Sequence, residues 1–354
     1  MSIKLLNPSN FQKTVDGKKT DLYTLKNNNG LVSQISNFGC RVVSLWAPDK
    51  NGNFEDLVLG YDNLDTYQNP PSEVFLGAVI GRYGNRIEKG SFELNGKTFK
   101  GAINNGPNHL HGGLKGFSHV VWDANQINEQ TLELKYLSVD GEEGYTGNLS
   151  VTLTYTLTDD NALEMEYKAI TDASTHVNLT NHSYFNLKGA GNGTIEDHSL
   201  SIDANHYLPT DATAIPLGEL APVETTPFDF TKSKLIGKDL HTKNEQLEMA
   251  AGYDHTFVFN DKDQNKVVAF VSEPTTGRTL ELFTNEPGVQ FYTGNYVTGC
   301  GAGKFNKTYL SQHAFCLETQ HFPNTPNTEN FPSTVLNPGE EYYSFCSYKF
   351  GVQK

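Results

Sequence analysis

The sequence predicts an all-β protein, and three observations carry that prediction. Apolar residues recur with a period of two in stretch after stretch, turn residues punctuate those stretches from end to end, and a 3.6-residue period is almost nowhere sustained for three turns. No Pro/Gly/Ser linker or low-complexity tract divides the chain, so one large β-sandwich domain over residues 1–354 is expected.

In chain order, residues 41–46 form the first predicted strand. Phe92 and Leu94 are separated from Thr98 and Phe99 by Asn95-Gly96, a pair that supplies the positive φ angles of a two-residue hairpin turn. Leu132, Leu134 and Tyr136 alternate with Glu133 and Lys135. The clearest alternation follows: Leu149, Val151, Leu153, Tyr155 and Leu157 against Ser150, Thr152, Thr154, Thr156 and Thr158, a strand with one buried face. After the Asp159-Asp160-Asn161 turn, Leu163, Met165, Tyr167 and Ala169 resume the pattern, which makes a second hairpin. One short helix is expected from Asp239 to Ala251, and further strands at 267–272, 279–284 and 342–350. The Pro-rich stretches 207–230 and 322–338 read as long loops, which in a compact domain often carry function.

Composition removes several classes of function. With 37% hydrophobic and 11% aromatic residues the chain can bury a large core, which excludes disorder and coiled coil. No window approaches 18 consecutive apolar residues, so a soluble protein is expected and no membrane partner. Lys+Arg 27 against Asp+Glu 41 leaves −14, which repels a nucleic acid. The four cysteines (Cys40, Cys300, Cys316, Cys346) have no metal-type pairing, and the N-terminus lacks a targeting segment; free thiols and a cytoplasmic location are expected. Only four residues are arginine, Arg41, Arg82, Arg86 and Arg278, and two of them fall within five residues.

Gly77 to Gly84 lies outside any βαβ pattern, there is no Walker lysine, and no Gly-x-Ser-x-Gly elbow or cysteine signature offers a nucleophile. No cofactor is expected. His109 and His111 could chelate a metal if they shared a strand face, but Pro107-Asn108 and Gly112-Gly113 favour a turn, with His111 approaching a ligand and His109 solvated. No third ligand is evident, so no metal is expected. His182 reads as a hydrogen-bonded core histidine or a site residue. Glu318, in the apolar run from Ala314, shares a face with Cys316 and is either structurally paired or kept for proton transfer.

Six strings in order, Gly81-Arg-Tyr-Gly-Asn-Arg-Ile-Glu-Lys-Gly, Asn108-His-Leu-His-Gly-Gly, Asn181-His-Ser-Tyr-Phe-Asn-Leu, Gly252-Tyr-Asp-His, Pro287-Gly-Val-Gln-Phe-Tyr-Thr-Gly-Asn and Leu317-Glu-Thr-Gln-His-Phe-Pro, together resemble the aldose 1-epimerase (galactose mutarotase) family. The resemblance runs from roughly residue 30 to the C-terminus. It implies a supersandwich with an open cleft, no cofactor, and interconversion of the α and β anomers of free aldohexoses such as galactose and glucose. Carried over by position, Glu318 is the base, His182 the acid and His111 the neighbour of the ring oxygen, while Asn85, Arg86, Asp254 and Gln290 bind the sugar. Gly84, where the family usually has alanine, and Asn324, where aspartate is common, bear on sugar preference.

These residue types suit the reaction. Mutarotation moves only protons, one from the anomeric hydroxyl and one to the ring oxygen, so a carboxylate and an imidazole suffice. Hydroxyls donate and accept; Arg86 supplies donors, Asp254 acceptors, Asn85 and Gln290 both. Taken singly, Arg86 could instead pair with Glu88 or Glu93, and Asp254 could be a turn residue. Tyr184, Phe185, Tyr253 and Phe291 are candidates for apolar contact with the sugar. The partner expected is a free aldohexose, for a monomer or weak homodimer. A sugar-phosphate epimerase would need more cations than four arginines suggest, and a non-catalytic carbohydrate-binding protein would lack the acid or the base.

Overall fold

Alternation along the chain becomes two layers of antiparallel sheet in the computed structural model, which describes residues 3–71, 74–261, 263–297 and 303–353. One layer is a nine-stranded sheet in the order Asp123–Gln126, Thr131–Ser138, Leu149–Leu157, Ala162–Thr171, Tyr342–Val352, Arg278–Thr284, Ala269–Ser272, Ser199–Ile202 and Lys234–Leu235. Its register follows the predicted faces: Leu153 pairs with Tyr167 and Tyr155 with Met165, and all four are buried. The facing layer contains a four-stranded sheet, Leu22–Lys26, Val32–Ser36, Arg41–Pro48 and Phe54–Asp56. It also contains a five-stranded one, Ala221–Pro222, His206–Tyr207, Asp254–Val258, Gly288–Tyr292 and Cys316–Gln320.

Val151, Leu153, Leu280 and Leu282 of the large sheet share one buried cluster with Ile35 and Val42 of the four-stranded sheet and with Phe257, Phe291 and Leu317 of the five-stranded sheet. Each such side chain contributes about 1.5–3 kcal/mol on burial. Two buried tyrosines satisfy their hydroxyls across the layers, Tyr155 donating to the Cys40 carbonyl (2.8 Å) and Tyr348 to the Leu317 carbonyl (2.7 Å). The second of these bonds fixes the strand that carries Glu318.

The predicted helix over 239–251 is two: Gly237–Leu240 and Glu245–Ala250. Asn244 is extended (φ −147°), and its side chain accepts from the Gln246 and Leu247 amides, so it begins a new helix. A further helix, Leu64–Gln68, is capped by Asn63 and is too short to register as a period. Asn95 and Gly96 take φ of 51° and 72° as their hairpin requires. The two long loops hold little regular structure: the end of the strand His206–Tyr207, the short strand Ala221–Pro222, the 3₁₀ turn Thr325–Asn327 and the strand Val335–Leu336.

Three of the four arginines spend their donors on main-chain carbonyls. Arg82 reaches Ser138, Thr146 and Gly147; Arg278 reaches Ala47, Leu187 and Asn53; Arg41 reaches Val74, Leu76 and Ser118. The close pair Arg82 and Arg86 therefore divides, the first pinning loops and the second facing a cavity. Cys40 and Cys346 are buried free thiols, Cys316 is buried, and Cys300 lies outside the described residues. Among the described residues no helix is long and apolar enough to cross a membrane.

Candidate active site

A cavity of about 530 Å³ opens where the five-stranded sheet meets the loops joining the two layers, and it is lined by Asn85, Arg86, His111, His182, Asp254 and Glu318 among others. His182 ends the strand Thr180–His182, in register with Ala78. Glu318 lies in the middle of Cys316–Gln320, opposite Gln290, which in turn pairs with Thr256. Asp254 begins its strand opposite Tyr292. One imidazole, two carboxylates and one amide thus come from the ends and centres of strands, which hold them more rigidly than loops would.

His111 is held differently. It follows the two-residue strand His109–Leu110, which pairs with Arg86–Ile87, and it adopts φ +51°. Asn85 faces it at φ +60°, a conformation in which Asn and His are enriched. The two main chains clasp: the Asn85 N–H donates to His111 Nδ1 (3.1 Å), and the His111 N–H donates to the Asn85 carbonyl (3.0 Å). Gly112 follows at φ +81°, where a Cβ would lie 1.9 Å from the Gly81 carbonyl oxygen, so only glycine lets this turn pack down. Because Nδ1 accepts, the imidazole proton sits on Nε2.

His182 Nε2 stands 3.6 Å from Glu318 Oε1, outside hydrogen-bond range, with both side chains buried. The His111 and His182 rings are 5.3 Å apart. His182 is stacked between Tyr184 (4.8 Å, 5°) and Phe75 (5.9 Å, 9°), and Phe75 also turns its edge on His111 at 4.6 Å. Burial, followed by the Arg41 charge, pushes His182 down to about 3. Burial first, then His182 and Arg86, hold His111 well below the usual imidazole range. Both rings are neutral near pH 7.

The other end of the cavity is a polar network. Arg86 donates through Nε to Asn105 Oδ1 (3.0 Å), and its Nη1 is 3.9 Å from Asp254 Oδ2. Asp254 Oδ1 accepts from Gln290 Nε2 (2.6 Å), whose Oε1 accepts from the Thr256 hydroxyl (2.6 Å). Donors and acceptors therefore alternate as a polyol requires.

The short separation of imidazole and carboxylate restricts the chemistry. In glycoside hydrolysis the two carboxyl groups stand about 5–5.5 Å apart or about 6.5–9.5 Å apart, to attack from one face and protonate from the other. A pair at 3.6 Å fits proton exchange with two oxygens on one carbon, as in a hemiacetal.

A family model described as aldose 1-epimerase matches residues 21–349. The chain belongs to the aldose 1-epimerase family. It is 45% identical to the galactose mutarotase of Sus scrofa over 319 residues, 90% of each chain, and 37% identical to the aldose 1-epimerase of Haemophilus influenzae over 340 residues, covering 95% of this chain and 97% of the other. Among solved structures, the galactose 1-epimerase of Lactobacillus acidophilus aligns with TM-score 0.84 at 28% identity, covering 97% of both chains. An aldose epimerase homologue from C. elegans aligns with TM-score 0.87 at 28% identity, covering 95% of this chain and all of the other.

Against that family background, six of the seven expected site residues meet in one cavity, and Gln290 stands behind Asp254 with its amide engaged. His109, expected in solvent, is fully buried between the Ala102 carbonyl (2.8 Å) and the Tyr145 hydroxyl (2.9 Å), because its two-residue strand turns it into a small aromatic core. Phe185, Tyr253 and Phe291, offered as sugar contacts, are core residues with no exposure; of that group only Tyr184 reaches the cavity. Phe75, Asn105, His119 and Tyr296 line it without having been foreseen, since none of them belongs to a motif. Glu88 bonds Lys89 and Glu93 bonds Thr98, so neither is the partner of Arg86. Asn324 caps the Arg86 strand from outside, donating its N–H to the Arg86 carbonyl and accepting from the Glu88 N–H.

His111, His182 and Glu318 offer ligand atoms all within 4.8 Å of one another. The Asn85 N–H on Nδ1 leaves His111 a donor at Nε2, which removes one ligand from that set. Dialysis against a strong chelator is expected to leave the rate unchanged; a loss restored by zinc would give these residues a metal. Arg86→Lys keeps the charge but loses the planar fork. It is expected to raise KM and lower kcat with little change in the thermal midpoint, whereas earlier unfolding with intact kinetics would make Arg86 structural.

Proposed function

We propose that the protein is an aldose 1-epimerase, or mutarotase, that interconverts the α and β anomers of free aldohexoses such as D-galactose and D-glucose without a cofactor. One observation carries the reading: the 3.6 Å approach of His182 Nε2 to Glu318 Oε1 at the wall of a sugar-sized polar cavity. Glu318 takes the proton of the anomeric hydroxyl while His182 delivers one to the ring oxygen, and the C1–O5 bond breaks. The open aldehyde turns about its bond to C2, and closure on the other face returns both protons to where they began.

Burial keeps His182 neutral in the empty cleft. The proton it delivers is taken up as sugar fills the cleft, where the neighbouring carboxylate supports an imidazolium. His111 donates its fixed Nε2–H toward the ring oxygen as charge develops there. Arg86, Asp254 and Asn85 hold the remaining hydroxyls, with Gln290 fixing Asp254. A positioned acid and base contribute about 10²–10⁴-fold each. Relatives named galactose mutarotase and aldose 1-epimerase support the same reaction. In this reading residues 1–354 form one domain acting in the cytoplasm as a monomer or weak homodimer.

Two-dimensional exchange NMR on equilibrated galactose tests the proposal. Catalytic amounts of protein should produce exchange cross-peaks between the α and β H1 signals. Sugar binding without cross-peaks would make the protein a binding module.

A further inference from the structure

Arg41 lies outside every motif that points to the cleft, and its side chain is completely buried at the start of the Arg41–Pro48 strand. Its guanidinium donates to the carbonyls on either side of Phe75, Val74 (Nη2, 3.0 Å) and Leu76 (Nη1, 2.9 Å), and to the Ser118 carbonyl (Nη2, 2.9 Å) just before His119. Tyr67 packs against it at 5.0 Å and Phe38 at 5.9 Å, so the fork has a fixed orientation. Phe75, thus strapped on both flanks, stacks parallel to His182 and sets its edge on His111.

We propose that Arg41 is a positioning residue of the active site, holding Phe75 as a rigid wall against the two imidazoles. This rests on the reading of His182 as the acid. The groups that face His182 are Glu318 from its strand, His111 from the turn, Tyr184 and Phe75 on its two faces, and Tyr292 at its edge.

Three variants test the wall. Arg41→Met fills the space without charge or donors; Arg41→Lys keeps the charge but cannot hold three carbonyls; Phe75→Leu removes the wall on a half-buried residue. Both Arg41→Met and Phe75→Leu are expected to lower kcat roughly tenfold or more, since small misplacements of catalytic groups carry costs of that size. Arg41→Lys, which keeps the charge but not the three bonds, should lose turnover as well, and in all three variants KM for galactose should move much less than kcat, as misplacement of the reacting groups requires. The double variant Arg41→Met/Phe75→Leu should be little slower than either single one, because one wall is lost once.

A lower thermal midpoint in Arg41→Met with wild-type kcat would overturn the proposal, as would full additivity in the double variant. Should Arg41→Met fail to fold, wild-type kcat in both Arg41→Lys and Phe75→Leu would overturn it equally. His182→Asn distinguishes failure of the underlying reading: if that variant keeps wild-type turnover, His182 is not the acid and the proposal falls with it.

Discussion

Glu318→Gln is expected to bind sugar and fail to turn it over. The substitution preserves size and a hydrogen-bonding carbonyl oxygen, but an amide cannot take a proton near neutral pH. Losing a general base costs about 10²–10⁴ in rate, or roughly 3–5 kcal/mol of transition-state stabilisation. Losing one neutral hydrogen bond costs only about 1 kcal/mol. The dissociation constant for galactose should therefore change by less than about tenfold, or 1.4 kcal/mol, while kcat collapses. The acid-side limb of the pH–rate profile should vanish as well, because it reports protonation of Glu318. Equilibrium binding and steady-state kinetics on the same preparation decide the matter. A variant that keeps more than a tenth of wild-type kcat with an unaltered pH profile would move the base elsewhere.

Stability should fall steeply as the solution is acidified from pH 6.5 toward pH 4. Burial pushes His182 and His255 down to about 3 and His176 to about 4, and holds His111 well below its ordinary value. All four are at least nine-tenths buried. The folded pKa of each is depressed, so the unfolded chain binds more protons between the two values. The contribution to stability is then complete above the unfolded pKa near 6.5 and is lost as pH falls toward the folded one. At pH 5 each such histidine costs on the order of 2 kcal/mol. Four together approach the whole stability of an ordinary domain, about 5–15 kcal/mol. Urea denaturation at pH 7.5 and pH 5 measures the difference. An unchanged unfolding free energy would mean that these imidazoles accept protons in the folded state.

Strands were legible because their signal is local: Leu149 to Leu157 and Leu163 to Ala169 declare both period and face within ten residues, and the observed register agrees. The same local reading failed at Asp239 to Ala251, where the capping side chain of Asn244 outweighs continuity. It failed again at His109, whose turn-rich neighbours hid a partner 36 positions away in Tyr145. Within the cleft, Glu318, His182 and His111 stand in distinct motifs and could be named beforehand. Phe75 could not, because what recruits it to the imidazoles is Arg41, whose bonds to the Phe75 flanks span more than 30 residues. The buried Phe185, Tyr253 and Phe291 show the converse, since proximity to a motif in sequence says little about which wall of a strand faces the cavity.

Polarimetry on freshly dissolved α-D-galactose tests the proton exchange between Glu318 and His182 most directly. The optical rotation should relax to its equilibrium value much faster with wild-type protein than in buffer alone, with the same endpoint. Glu318→Gln and His182→Asn should each bring the relaxation back nearly to the buffer rate. A wild-type protein that binds galactose yet leaves the relaxation at the buffer rate would contradict mutarotation, and full activity in either variant would contradict the assignment of the pair.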